Sequence, residues 1–326
     1  MGIKALRKIQ IGKETDKGTA VPATAALLGG LTMKSSPTIH RPVEERGTMA
    51  EFSRSVKVAD LAELTFEGDA TFEQILYLLH MGILGSVSPS EVDTTGKLWT
   101  FTPAMVAVGA FDSFTIEYGD DVQAWETEYC LARAIEISGA MNEAMRMRAE
   151  IFGRQMTPVT FTPSIDPPTV ESIPFQQVKL YIDDETGTIG TTEKSSSIIS
   201  ASYSINTGLY AKRYGDGLII FSVYGEGIKG IELRMTFAFN AGAEVERLLF
   251  DGKTLRLIRL EIEGSVISDA IKKKLTLDFC GIYTDFATLS ERDGEDVVEV
   301  VMSTQQGTNY TTLFEVAVTN AITTLP

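Results

Sequence analysis

The sequence predicts a mainly β protein made of two tandem β-sandwich or barrel modules, each with one flanking α-helix. Three observations carry that expectation. Short runs with alternating apolar and polar residues recur along the whole chain, rich in Val, Ile, Thr, Tyr and Phe and bounded by Gly, Asp, Asn and Ser. That is the pattern of antiparallel sheet. Helical spacing appears in only two places, Thr71 to about Met81 and Ala241 to Phe250. A proline-rich run, "TFTPSIDPPTVESIPF", falls near the midpoint, and its Pro163, Pro167, Pro168 and Pro174 cannot enter a sheet interior. The expected organisation is a first module over 1–162, a linker over 163–175 and a second module over 176–326.

The first half opens with the strand-like "IQIGKET", "LTMKSSPTI" and "SVKVADLAELTFEG". At "ELTFEGDATFEQILYLL" the period changes. Leu64 and Phe66 alternate with polar neighbours, then Phe72, Ile75, Leu76 and Leu79 follow the spacing of an amphipathic helix, with Asp69 or Thr71 as its N-cap. After "LGSVSPSEVDTTGKLWTFTPAMVAVGA" come the strands "SFTIEYG", "WETEYCLARAIEISG" and "AMRMRAEIFG". Beyond the linker, "QVKLYID", "IISASYSIN", "LIIFSVYG" and "IELRMTFAF" read as strands, and a helix starts at an Asn240 cap. "TLRLIRLEIEG", "KKLTLDFCG", "DVVEVVMST" and "LFEVAVTNA" follow it.

The two halves echo each other. "ELRMTFAFNAGAEVERLL" repeats the strand-to-helix transition: Leu233, Met235, Phe237 and Phe239 alternate, then Ala241, Val245, Leu248 and Leu249 take helical spacing. "IQIGKET" matches "LYIDDET", and "LTMKSSPTI" matches "IISASYSIN". Glu185 lies 171 positions beyond Glu14, and Glu232 lies 169 beyond Glu63. So small a drift points to an internal duplication. The segment after the first helix has no counterpart in the second half.

Composition excludes several classes. A chain of 326 residues with 44% apolar and 22% charged residues is ordinary globular material. A net charge of −15 argues against a protein that grips nucleic acid, which needs clustered Lys and Arg. Cys130 and Cys280 lack any C-x-x-C partner and read as buried free thiols. The opening "MGIKALRKIQIGKETDKG" has no apolar core of a secretory signal, and no apolar run approaches a membrane span. The expectation is a soluble protein made in a cytoplasm.

Catalytic constellations are sparse. His40 and His80 are the only histidines, far apart, and both have structural explanations: a polar loop for one, a helix C-terminus for the other. The G-x-G-x-x-G of "YGEGIKG" (Gly225, Gly227, Gly230) is followed by an alternating strand, where a dinucleotide site needs a helix, so it reads as a glycine-rich hairpin. "TTGK" reads as a turn. Asp183, Asp184 and Glu185 lack the ligand spacing of a calcium loop and read as a solvated turn. A glycosidase-type carboxylate pair stays open, since such partners meet only in the fold. No catalytic residue, cofactor or metal is expected.

The informative polar feature is "HRPVEERGTMAEFSR". His40, Arg41, Glu44, Glu45, Arg46, Glu51 and Arg54 form a connection of mixed charge, longer than the roughly two to five residues of a common hairpin. Such a loop suits contact with a neighbouring molecule, with register set by complementary charge; a solvated loop is the alternative. Its counterpart, "TGLYAKRYGDG", carries Tyr210, Lys212, Arg213, Tyr214 and Asp216.

In "IQIGKETDKGTAVPATAAL", in the strand, long loop, strand and helix from "LTMKSSPTI" to "FEQILYLL", and in "IEISGAMNEAMRMRAEIFGRQ", the chain resembles the major tail tube proteins of long, flexible-tailed bacteriophages. The resemblance spans most of the first half and reaches the second through the duplication. It implies a virion protein of the tail, assembled in the host bacterial cytoplasm, whose stacked rings form a hollow conduit for DNA ejection. Strands would join across subunits into one barrel, and the long loop would reach an adjacent ring. An acidic lumen would let DNA pass without specific binding. The family's six-fold geometry implies trimeric pseudo-six-fold rings for a two-module chain, with hexameric rings as the alternative. Other tail proteins would meet the tube ends; no membrane is involved. A tail terminator or hub protein of the same fold is the nearest rival. A β-sandwich carbohydrate-binding module is the rival from another class, and it calls for exposed aromatics such as Trp99 and Trp125.

Overall fold

A computed structural model describes residues 2–194, 198–269, 271–292 and 294–325. In the first half, β1 (Lys8–Lys13), β2 (Ala25–Ala26), β3 (Gly30–Ser35), β4 (Thr38–His40), β5 (Val56–Ala59) and β6 (Ala62–Asp69) precede helix α1 (Ile75–Gly82). Then come β7 (Ser90–Glu91), β8 (Lys97–Phe101), β9 (Phe114–Gly119), β10 (Ala124–Ala140), β11 (Arg146–Gly153) and β12 (Thr157–Val159). The second half has β13 (Val178–Asp184), β14 (Ile198–Asn206), β15 (Leu209–Lys212), β16 (Val223–Glu226), β17 (Gly230–Ala238) and α2 (Ala241–Asp251). It continues with β18 (Arg256–Ser268), β19 (Ile271–Phe286), β20 (Ser290–Arg292), β21 (Glu295–Thr304) and β22 (Phe314–Asn320). The protein is mainly β, a sandwich of antiparallel sheets.

Two series of paired strands run in the same order. In the first half the order is β3, β6, β11, β10, β9, β1. In the second it is β14, β17, β21, β19, β18, β13. The helix follows the second of these strands, β6 or β17, in both halves. Register agrees as well: Leu64 faces Ile151 as Leu233 faces Met302. The central strands are bulged at matching places, between Ala132 and Ala134 and between Tyr283 and Asp285. A bulge adds local twist, which lets one long strand serve two sheets in turn. The first part of β10 accordingly pairs with β9 and β12, and its last part with β11 and β14.

Two ladders join the halves. The end of β10 pairs with β14, Ala134 opposite Asn206 through Ala140 opposite Ser200. The segment without a counterpart supplies β7 and β8, and β8 pairs with β22. One apolar cluster runs through both halves, with Phe66, Phe72 and Trp99 from the first and Tyr203, Phe279 and Phe314 from the second. Asn320, fully buried, donates its amide to the Phe72 carbonyl at 2.8 Å. Burying side chains of this size contributes on the order of 2 kcal/mol each before the entropy of ordering them.

Several local expectations are corrected. Helix α1 starts at Ile75 because Thr71 is taken up in a bridge to Ser172, while its Oγ1 accepts the Gln74 N–H at 3.1 Å. Every residue of α1 is buried, so it is not a half-exposed amphipathic helix; Gly85 to Ala110 and Asp112 to His80 hydrogen bonds fold the following segment over it. Helix α2 does begin at an Asn240 cap, whose Oδ1 accepts the Ala243 N–H. It turns Ala243 and Glu246 inward and leaves Val245 and Leu248 exposed, against the apolar stripe expected there. Tyr283 explains the inward glutamate, since its hydroxyl donates to Glu246 at 2.8 Å. In "LIIFSVYG" only Val223–Glu226 is strand, and in "YGEGIKG" β16 and β17 are consecutive but pair with other strands, so the glycines make a strand-to-strand crossing and not a hairpin. The end of the proline-rich run is tied to the first half, with Ile173 donating to Ala70 at 3.0 Å.

Candidate assembly interface

Between the first and second strands of each series the chain leaves the sandwich as a two-stranded hairpin, β4–β5 in the first half and β15–β16 in the second. His40 ends β4. In the loop beyond it Glu44 is the hub: Arg54 reaches it at 2.5 and 3.0 Å, and Arg46 at 2.7 Å. The Arg41 guanidinium lies 5.7 Å from the Phe52 ring, and Glu45 and Glu51 point to solvent. Exposed pairs of this kind contribute little stability, on the order of 0.5 kcal/mol each, but they give the loop a shape. Val43, at 84% exposure, and Met49, fully exposed, stand out from it.

The second hairpin is seated on the first half. Phe221 is buried among Phe111, Tyr129, Leu131 and Phe152, and Arg154 donates to the carbonyls of Phe221, Ser222 and Gly18. Its outer residues, Tyr210, Lys212, Tyr214 and Asp216, are exposed; Lys212 lies 5.3 Å from the Tyr214 ring, and Asp216 accepts from Leu218 N–H and Ser222 Oγ. Arg213 donates to the Asp60 carbonyl at 2.9 Å, and Asp60 N–H to the Ile219 carbonyl at 2.7 Å. The second predicted loop therefore meets the base of the first hairpin at Asp60, a residue that sequence reasoning passed over. Burial pushes the Asp60 carboxyl up, but hydrogen bonds from Lys57 and Ser35 win and hold it below the usual carboxylate range. Ile39, Val56 and Val58 of the first hairpin are exposed, and among the described residues nothing covers them as the first half covers Phe221.

Sheet edges show the same asymmetry. Strand β14 lies between β17 and β10, whereas its counterpart β3 pairs with β6 alone among the described residues. The end of β10 lies between β11 and β14, whereas the matching stretch, Asp285 to Glu291, pairs with β21 alone among the described residues. An open edge of this kind is a template for another strand.

Across the joined sheet β3–β6–β11–β10–β14–β17–β21, one face enters the core and the other is polar. Glu67, Arg148, Glu136, Ser204, Glu232 and Ser303 lie opposite one another in a row across six strands. Arg148 bridges Glu67 at 3.4 Å and Glu150 at 3.3 Å, Arg234 bridges Glu232 at 2.8 Å, and Lys34 bridges Glu63 at 2.8 Å. The Lys34 and Ser36 hydrogen bonds lower the Glu63 carboxyl. The face thus carries carboxylates partly neutralised by arginine and lysine.

Several polar residues singled out in the sequence sit in buried hydrogen-bond networks. His80 is buried, its Nδ1 2.9 Å from Asp112 and its ring edge-on to Trp99 and Phe101. Asp112 also receives Lys13 at 2.8 Å and the Ser86 N–H at 2.7 Å. Asp183 is no solvated turn residue: it is buried and accepts the N–H groups of Gly190, Thr191 and Thr192. Both cysteines are free and buried. Among the described residues no cluster of His, Cys, Asp and Glu fits a metal ion, and no helix is long and apolar enough to cross a membrane. Comparison of the sequence with family models and with curated proteins finds no match.

Proposed function

We propose that this protein is a structural, non-enzymatic virion protein that polymerises as stacked rings into the tail tube of a bacteriophage. The observation that carries this reading is the pair of complementary open edges. One β10-end-to-β14 joint is made within the chain, and among the described residues the outer edges of β3 and of Asp285–Glu291, the two half-joints that the same joint between copies would need, are open. Head-to-tail repetition of one joint gives a ring when the rotation closes. The repeated strand order supports two tandem modules, so three copies supply six modules. The polar row through Glu67, Glu136 and Glu232 becomes the lumen wall, negative enough that phosphates slide past. The β4–β5 hairpin, with His40, Arg41, Glu44, Glu45, Arg46, Glu51 and Arg54, reaches the adjacent ring, and Tyr210, Lys212, Arg213, Tyr214 and Asp216 flank its base.

Electron microscopy of the concentrated protein, together with its mass in solution, tests the reading: rings of three chains or long hollow tubes support it, and a monomer at every concentration sinks it. Tubes with six chains per ring would replace the trimer by a hexamer. A terminator or hub role predicts rings that never stack. Of the two tryptophans the carbohydrate-binding alternative calls on, Trp99 is buried, its indole donating to the Ile322 carbonyl, and Trp125 alone is exposed. Replacing 40–54 by a short Gly-Ser turn should leave circular dichroism unchanged and rings intact while abolishing stacking; tubes of unaltered length would remove the loop from that role.

A further inference from the structure

The joint inside the chain has a second component. The tip between β10 and β11 is clasped by the segment that enters the second half. Met145 donates its N–H to the Ile173 carbonyl at 2.7 Å, Phe175 donates to the Glu143 carbonyl at 3.1 Å, and Ile173 donates to the Ala70 carbonyl at 3.0 Å. That segment then makes a 3-10 turn, Phe175–Gln177, and runs into β13. Met145, Ile173 and Phe175 are all buried there, so this clasp is apolar.

The chain makes the same turn at Lys4–Leu6, immediately before β1, and there among the described residues no tip is clasped: Ile3 and Leu6 are 52% and 46% exposed. The matching tip lies between β20 and β21. The equivalence is set by hydrogen bonds, since Phe239 donates to the Asp296 carbonyl at 2.8 Å as Ala70 donates to the Met145 carbonyl at 2.8 Å. What differs is the chemistry. Lys4, Arg7 and Lys8 are exposed on one side, and on the other Glu291, Glu295 and Asp296, with the single cation Arg292 among them, leave the described tip net acidic. The three bases also line an open cleft of about 800 Å³ beside the open edge of β3, with the buried Gln10, whose Oε1 has no hydrogen-bond partner among the described residues.

We propose that residues 2–8 of one copy clasp the acidic β20–β21 tip of the next copy, in a charged version of the apolar clasp within the chain. By equivalence, Lys4 N–H donates to the Gly294 carbonyl, Asp296 N–H to the Gly2 carbonyl, and Gly2 N–H to the Phe239 carbonyl. Lys4, Arg7 and Lys8 face Glu291, Glu295 and Asp296. This inference rests on the ring reading and names the residues that close it. It makes the contact between copies sensitive to salt while the covalently linked contact within each copy is not, because exposed charges are screened and buried apolar contacts are not.

The test reverses charge on each side of the full chain: Lys4→Glu, Arg7→Glu and Lys8→Glu together, then Glu291→Lys, Glu295→Lys and Asp296→Lys together, then all six. Ring formation is followed by analytical ultracentrifugation, with circular dichroism to establish folding. Each three-residue set should weaken assembly by roughly tenfold or more, and the six-residue variant should restore it. If the wild type forms rings and either three-residue set assembles equally well, the clasp is wrong and the ring reading stands. Failure of the six-residue variant to recover, with both sets folded and impaired, also overturns the clasp. A wild type that stays monomeric overturns both.

Discussion

A chain carrying Lys34→Cys and Ala287→Cys should oxidise into covalently linked oligomers that end at a closed trimer, while either single variant stays a monomer on a non-reducing gel. The pair is chosen by register. Lys34 faces Glu63 as Ser204 faces Glu232, and Ala287 donates its N–H to the Glu299 carbonyl, where Glu136 faces Arg148. Within the chain Ser204 lies opposite Glu136. Directly opposed residues on antiparallel strands have Cα atoms about 4.5–5.5 Å apart, inside the range a disulfide spans. Both side chains sit on the polar face, so the bond needs no core rearrangement, and the native cysteines are buried and do not compete. Rings that form by microscopy but never cross-link would show that copies meet through some other edge.

The largest stability loss should come from Asp112→Ala. Its carboxylate sits under α1 and holds three groups at once: the buried His80 ring, the Lys13 ammonium and the N–H of Ser86, a residue at φ 55°. Removing it strands the buried His80 Nδ1 away from water and takes the partner from Lys13 and the Ser86 turn, for a loss of about 3 kcal/mol in urea unfolding at neutral pH. Burial pushes this carboxyl up, yet the His80 and Lys13 hydrogen bonds more than reverse that and leave it far below the ordinary carboxylate range. A carboxyl depressed in the folded state contributes its stability in full above its unfolded value, near pH 4, and loses it as pH falls toward the folded value. Wild-type stability should therefore decline below about pH 4, and Asp112→Asn should flatten that acid limb. Equal acid sensitivity in the two proteins would remove Asp112 as a source of it.

How much of this was legible in the sequence follows the range of the interactions. Alternation at Leu64–Phe66 and Leu233–Phe239 sets strands because side chains two apart share a sheet face, and this requires no knowledge of the partner strand. The Asn240 cap is equally local. The buried α1 was not legible, because the cover over it comes from the segment beyond the helix, and helical spacing reports one apolar stripe whatever lies on the other side. The inward Glu246 was missed for the same reason: its stabilising partner, Tyr283, lies 37 residues away. Among the candidate site residues, the Glu44 hub lies within its own loop, whereas the contact of Arg213 with Asp60 joins residues 153 positions apart. The basic Lys4, Arg7 and Lys8 drew no notice as a site, although three cations at the start of so acidic a chain were a usable signal.

Patterns of period two and 3.6, the proline-rich midpoint and the echo between halves establish a mainly β chain and the order of its elements, since each depends on residues near one another along the chain. Which edges remain open could come only from the packed molecule. β3 and β14 read alike as strands, yet β14 is covered by β10 and β3 is not. Backbone hydrogen bonding across a sheet is blind to side-chain identity, so a strand's neighbours are chosen by the placement of the whole fold.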